Sequence, residues 1–173
     1  MSSRPNLPPH FTTFRTCYRH PAGTVGVALT RWLTAEGWLA PLPPPPGTPP
    51  GRGGACPEPR RRVPVLGAYR LTDAGAAGLA RLGVQPAGVS AGGDYKACAD
   101  YTTRLPNGQR GVPHVGGPLG AALGDWLMAA GHAARRADAA SVYDRRTLVL
   151  TDRGQRILRE LGVLEGAALP AAV

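Results

Sequence analysis

Apolar residues recur with helical spacing in two long stretches of this chain. Val25, Ala28, Leu29, Trp32 and Leu33 stand at i, i+3, i+4, i+7 and i+8, one face of an amphipathic helix that Gly37 is placed to stop. Leu119, Ala122, Leu123, Trp126, Leu127 and Ala130 draw the same stripe before Gly131. After the first helix, Trp38-Leu39 opens an extended segment and residues 63–71 are extended again. After the second, residues 132–136 and 142–150 predict strands around a turn at 137–141. Thr72 and Thr151 are then good N-caps, Asp73 and Asp152 suit a helix N-terminus, and Gly83 and Gly162 are good C′ residues.

The two stretches are copies. Leu71-Thr72-Asp73-Ala74-Gly75, with Leu79 and Leu82-Gly83-Val84, returns as Leu150-Thr151-Asp152-Arg153-Gly154, with Leu158 and Leu161-Gly162-Val163. Gly26-x-Ala28-Leu29-x-x-Trp32-Leu33-x-x-x-Gly37 returns as Gly120-x-Ala122-Leu123-x-x-Trp126-Leu127-x-x-x-Gly131. A repeated unit is one supersecondary structure used twice. The expected fold is therefore mixed α/β (α+β): two degenerate winged-helix-like helix–hairpin–helix repeats packed with pseudo-two-fold symmetry. The expected boundaries are a loosely ordered tail at 1–15, a first repeat at 16–85, a linker at 86–94, a second repeat at 95–164 and a tail at 165–173. Within the first repeat, residues 41–59 are a Pro/Gly-rich wing insert that cannot pack as a core.

Residues 17–29 (Cys17-Tyr18-Arg19-His20-Pro21-Ala22-Gly23-Thr24-Val25-Gly26-Val27-Ala28-Leu29) resemble a segment from the C-terminal half of ArsR-type winged-helix transcriptional regulators of bacteria. Cys98-Ala99-Asp100-Tyr101, followed by His114-Val115-Gly116-Gly117-Pro118-Leu119-Gly120, resembles the next segment of those proteins. The likeness extends over residues 15–163. It implies a transcription factor's ancestry and a winged-helix fold. Those regulators also carry an N-terminal helix-turn-helix domain, and the expectation here is that this chain has no counterpart to it.

Charge points the same way. The formal net charge is +9, and Lys96 is the only Lys beside 19 Arg. Arg forks bind oxyanions bidentately. Arg52 and Arg60-Arg61-Arg62 fall in the first wing; Arg135-Arg136 and Arg145-Arg146 flank the second wing's turn. Wings so charged suit a phosphate backbone. The outer faces of the striped helices offer little to read bases: Thr24, Arg31, Thr34 and Glu36 on one, Asp125 on the other. The expected function is a non-enzymatic, DNA-binding, transcription-regulator-like protein that grips the backbone through these arginines. The alternative is a stand-alone effector- or metal-sensing or protein-interaction module, as a homodimer or with a regulatory partner.

Cys17, His20, Cys98, Asp100 and His114 are the candidate metal ligands, since thiolate, imidazole and carboxylate together suit zinc. Cys56 lies in the insert and has no such neighbours in sequence. Three cysteines without paired spacing argue against a disulfide framework. No catalytic residues are expected: Gly116-Gly117-Pro118-Leu119-Gly120 lacks the Lys-Ser/Thr of a phosphate-binding loop, and no carboxylate pair stands in an apolar setting. With no leader peptide and no membrane-spanning run, a soluble, cytoplasmic protein without membrane association is expected.

Overall fold

The computed structural model describes residues 9–44, 46, 67–84, 88–103, 111–137 and 140–164. Along the chain run α1 (Pro9–Thr13), β1 (Arg15–Cys17), β2 (His20–Ala22), α2 (Gly23–Ala35), β3 (Leu39–Leu42), β4 (Ala68–Leu71) and α3 (Asp73–Arg81). They continue as β5 (Asp94–Asp100), β6 (Val112–Val115), α4 (Gly117–Ala129), β7 (Ala133–Arg135), α5 (Val142–Arg146), β8 (Leu148–Leu150) and α6 (Asp152–Glu160). The mixed α+β class expected from the periodicity is the class observed. Among the described residues, no helix is long and apolar enough to cross a membrane.

Local chemistry explains the helix ends. The Thr72 hydroxyl accepts from Gly75 N at 2.9 Å and donates to Gly37 O at 2.8 Å. Thr151 accepts from Gly154 N at 3.0 Å and donates to Gly131 O at 2.7 Å. Each threonine thus caps its own helix and ties it to the loop that ends the preceding long helix. Gly75 and Gly154 let the backbone come close there: a Cβ would collide with Trp38 O in one and His132 O in the other. Trp32 and Trp38 meet edge to face at 4.9 Å, and Trp126 and His132 do so at the same distance.

The strands cross between the halves. β3, β4, β5 and β6 form one antiparallel sheet, with Tyr69 opposite Tyr95. β1 pairs with β2 and β7 with β8, and a bridge from Arg15 to Thr147 links those ribbons. The long helices cross as well. α2 packs on β6 and α4 on β2. Thr30 Oγ1 accepts the Val115 amide at 2.9 Å. A Cβ on Gly124 would strike Arg19 O. Phe14, Leu29, Leu33, Leu119, Leu123 and Leu127 join one buried core with Leu39, Leu71, Leu79, Leu150 and Leu158.

Four expectations change. Residues 9–15 are not a loose tail: Phe11 and Phe14 are buried, Phe11 packs edge-on against Tyr143 at 5.0 Å, and His10 bonds Asp144 at 2.8 Å. Residues 142–146 are helix, not strand. Ser141 Oγ accepts from Asp144 N while the Asp144 carboxylate accepts from Ser141 N, a reciprocal cap that outweighs the β-forming side chains. The end of the expected linker belongs to the sheet: Leu71 N donates to Gly93 O, Gly92 N donates to Leu71 O, and Asp94 opens β5. β3 also carries the first two residues of the expected insert, Pro41 and Leu42. Residues 47–66 and 165–173 lie outside the described residues.

A candidate metal centre where two hairpins meet

In an antiparallel pair, residues directly opposite project to the same face. Cys17 stands opposite His20 in β1–β2, and Cys98 opposite His114 in β5–β6. Each hairpin therefore presents one thiol and one imidazole on one face. The hairpins are made differently. β1 turns into β2 through Tyr18-Arg19, with Tyr18 at φ 58°, a left-handed backbone that favours glycine. Between β5 and β6 the chain runs through residues 101–111.

The crossed packing brings these faces together. The rings of His20 and His114 lie 5.1 Å apart, centroid to centroid. Among the described residues, Cys17, His20 and His114 form the group with metal-ligand spacing, each offering a donor atom within 4.8 Å of the other two. Cys17 and His20 are each 6 % exposed and His114 is 0 %. His20 Nε2 and both ring nitrogens of His114 are buried without a well-formed hydrogen bond. A buried polar atom left so costs about 1–3 kcal/mol.

Burial, reinforced by Arg15, Lys96 and Arg146, holds the His20 imidazole down at about 4. Burial holds His114 down at about 3; Asp100 and the nearby Val112 backbone oppose this, while His20 and Arg15 add to it. Both rings are neutral at pH 7, the state in which imidazole donates to a metal.

Asp100 was expected among the ligands but stands outside that group. Its carboxylate is committed elsewhere. Oδ2 meets Arg15 Nη2 at 3.0 Å and accepts from Gly23 N at 2.6 Å, at the N-terminus of α2. Oδ1 accepts from Thr102 N, Thr102 Oγ1 and Thr103 N at 2.8, 2.7 and 3.0 Å. Burial pushes its carboxyl up, but Arg15, Thr102 and Gly23 outweigh that and hold it at about 2. Asp100 is the counter-ion of Arg15 and ties β5 to the start of α2. Cys98 is half-buried, on the hairpin face it shares with His114.

The arginines are scattered. Arg135 and Arg145 are exposed, and Arg135 Nη1 donates to Arg145 O at 3.0 Å. Arg146, on α5, spends Nε and Nη2 on Thr16 O at 3.1 and 2.9 Å and lies over the Phe11 ring. Arg136 is half-buried, its backbone N donating to Thr147 O at 3.4 Å. Arg52, Arg60, Arg61 and Arg62 lie outside the described residues. The residue that sequence reasoning missed is Arg15. It precedes Cys17 by two on a strand, so alternation places both on one face. No family model, no curated protein and no solved structure matches this chain.

Proposed function

We propose that this protein is a non-enzymatic regulatory module that binds a zinc-like ion between its two hairpins. One observation carries the reading: a thiol and two neutral imidazoles converge in a buried site where three ring nitrogens lack a well-formed hydrogen bond. Thiolate with imidazole is a donor set for a borderline-soft ion such as Zn²⁺. The ion would satisfy orphaned atoms that water does not reach. Protein purified without chelator and dialysed against zinc should retain close to one equivalent of metal, and Cys17→Ser should retain far less. Wild-type protein free of metal after that treatment defeats the reading.

We read the architecture as two degenerate winged-helix-like repeats about a pseudo-two-fold axis, the fold of a regulator's C-terminal half. Matched caps at Thr72 and Thr151, matched ring pairs and the reciprocal crossing of α2 and α4 support this. Metal held on such an axis links the two repeats directly, which is what a sensing module requires.

A second reading, DNA binding through backbone contacts, is favoured by exposed Arg135 and Arg145 and by Arg153, Arg156 and Arg159, exposed along α6 at three-residue spacing. Duplex affinity should then fall as salt rises, with a log–log slope of about −0.9 per phosphate neutralised. Replacing Arg60, Arg61 and Arg62, or Arg135 and Arg145, by Ala should flatten that slope alike for all sequences. Absence of duplex binding in a gel shift at low salt removes this second reading and leaves the first intact.

A further inference from the structure

We infer that Cys98 supplies a fourth, thiolate donor, making the site a closed two-sulfur, two-nitrogen centre for a zinc-like ion that staples hairpin β1–β2 to hairpin β5–β6. This rests on the metal reading above and specifies its ligands, geometry and mechanical role.

Register is the first ground. Each hairpin carries one Cys–His cross-strand pair, and the two histidines are the members that meet. Cys17 joins them; Cys98 occupies in the second hairpin the place that Cys17 holds in the first, opposite the histidine.

Gly116 is the second. A Cβ there would lie 2.7 Å from Cys98 Sγ and 3.4 and 3.5 Å from His20 Cε1 and Nε2. The Cys98 sulfur and the unpartnered nitrogen of His20 therefore border the same small space, which only a glycine leaves open. Cys98 is across the strand from one histidine and beside the other. Its sulfur lies outside the mutual 4.8 Å of the first three donors, so binding draws it inward. With bonds of about 2.3 Å to sulfur and 2.0–2.1 Å to nitrogen, a tetrahedral ion needs donors about 3.3–3.8 Å apart. The donors would have to move closer together than they stand here to reach that spacing.

Charge is the third. Arg15, Lys96 and Arg146 all bear on His20, and Asp100 already balances Arg15. A divalent ion with one thiolate leaves a net positive charge buried in a positive neighbourhood. Two thiolates bring the centre to neutrality, and an uncompensated buried charge is unfavourable. Two neutral imidazoles add none. On binding, each thiol releases its proton to solvent. Four protein donors also fit the burial, because a three-donor centre keeps an open position for water or substrate and Cys17, His20 and His114 are nearly inaccessible.

Cobalt(II) titration of the full chain tests this. Wild-type protein should show thiolate-to-cobalt charge transfer in the near ultraviolet and the visible bands of a tetrahedral site. Cys98→Ser and Cys17→Ser should each lower the charge-transfer band by half, and the double variant should abolish it. A measurement on unmodified protein guards against misfolding of the variants. One equivalent of zinc should slow the alkylation of both Cys17 and Cys98 relative to metal-free protein, in rates followed by mass spectrometry. Full charge transfer in Cys98→Ser, or zinc that shields Cys17 alone, overturns the fourth ligand and leaves a three-donor centre. No cobalt or zinc uptake by wild type overturns both this inference and the metal reading beneath it.

Discussion

Replacing Asp100 by asparagine is expected to destabilise the protein more than any surface change. The carboxylate is fully buried, faces Arg15 at 3.0 Å and accepts the amide at the start of α2. Asparagine keeps an acceptor but removes the charge, which leaves the Arg15 guanidinium buried without its partner. Breaking such a pair on one side typically costs about 3–5 kcal/mol. For a domain of this size each kcal/mol moves Tm by about 2–4 °C, so the expected fall is roughly 6–20 °C by calorimetry. Asp125→Asn is the control. Its pair with Arg19 is as short, 2.7 Å, but the side chains are 73 % and 61 % exposed, and pairs in solvent contribute little. Its Tm should stay near wild type. Adding Arg15→Met to Asp100→Asn should recover part of the loss, because it removes the stranded charge. Equal Tm values for Asp100→Asn and Asp125→Asn would show that Asp100 braces nothing.

Zinc should raise the stability of the folded chain and chelation should lower it. Binding to the native state adds RT ln(1 + [L]/Kd), about 2.7 kcal/mol at one hundred times Kd. That corresponds to roughly 5–11 °C in Tm at this chain length. His114→Leu separates ligand from packing. Leucine fills similar space and removes two buried nitrogens that lack a well-formed hydrogen bond, and an apolar replacement of that kind can be neutral or stabilising. The metal-free variant should therefore melt at or above metal-free wild type, while its response to zinc disappears. A strongly destabilised metal-free variant would assign His114 a structural role instead.

Both predictions concern atoms whose proximity the sequence conceals. Short-range features were readable: Thr72 and Thr151 as caps, the apolar stripes of α2 and α4, and the glycines that stop them all act within a few residues. The α+β class follows from them. The equivalence of the two Cys–His pairs was not readable from spacing. One pair closes over a two-residue turn and the other over residues 101–111, so the intervals differ although the cross-strand relation is the same. Cys17, His20 and His114 are among the candidates the sequence offers, but only the crossing of the halves brings Cys17 to His114. Asp100 is another candidate, and its salt bridge with Arg15 is invisible in the sequence. In residues 142–150, Val142, Tyr143, Thr147 and Val149 gave a strand pattern. The Ser141…Asp144 pair that turns the first half into a helix was present in the sequence and was outweighed.

The crossing of α2 and α4 has a kinetic side. As the chain leaves the ribosome, α2 emerges long before β6, the strand its inner face is made for. At about 5–20 residues per second that interval lasts seconds, far longer than a helix takes to form. Throughout it, β3 can cover part of α2, but the part that packs on β6, where Thr30 accepts the Val115 amide, is without its partner. The contacts that complete the core are distant in sequence, which slows closure further. A nascent first half in a crowded polysome can meet the β6 of a neighbouring chain before its own. The same reciprocal packing would then form between two chains, so an exchanged dimer is the misfolded form to expect if synthesis is slowed.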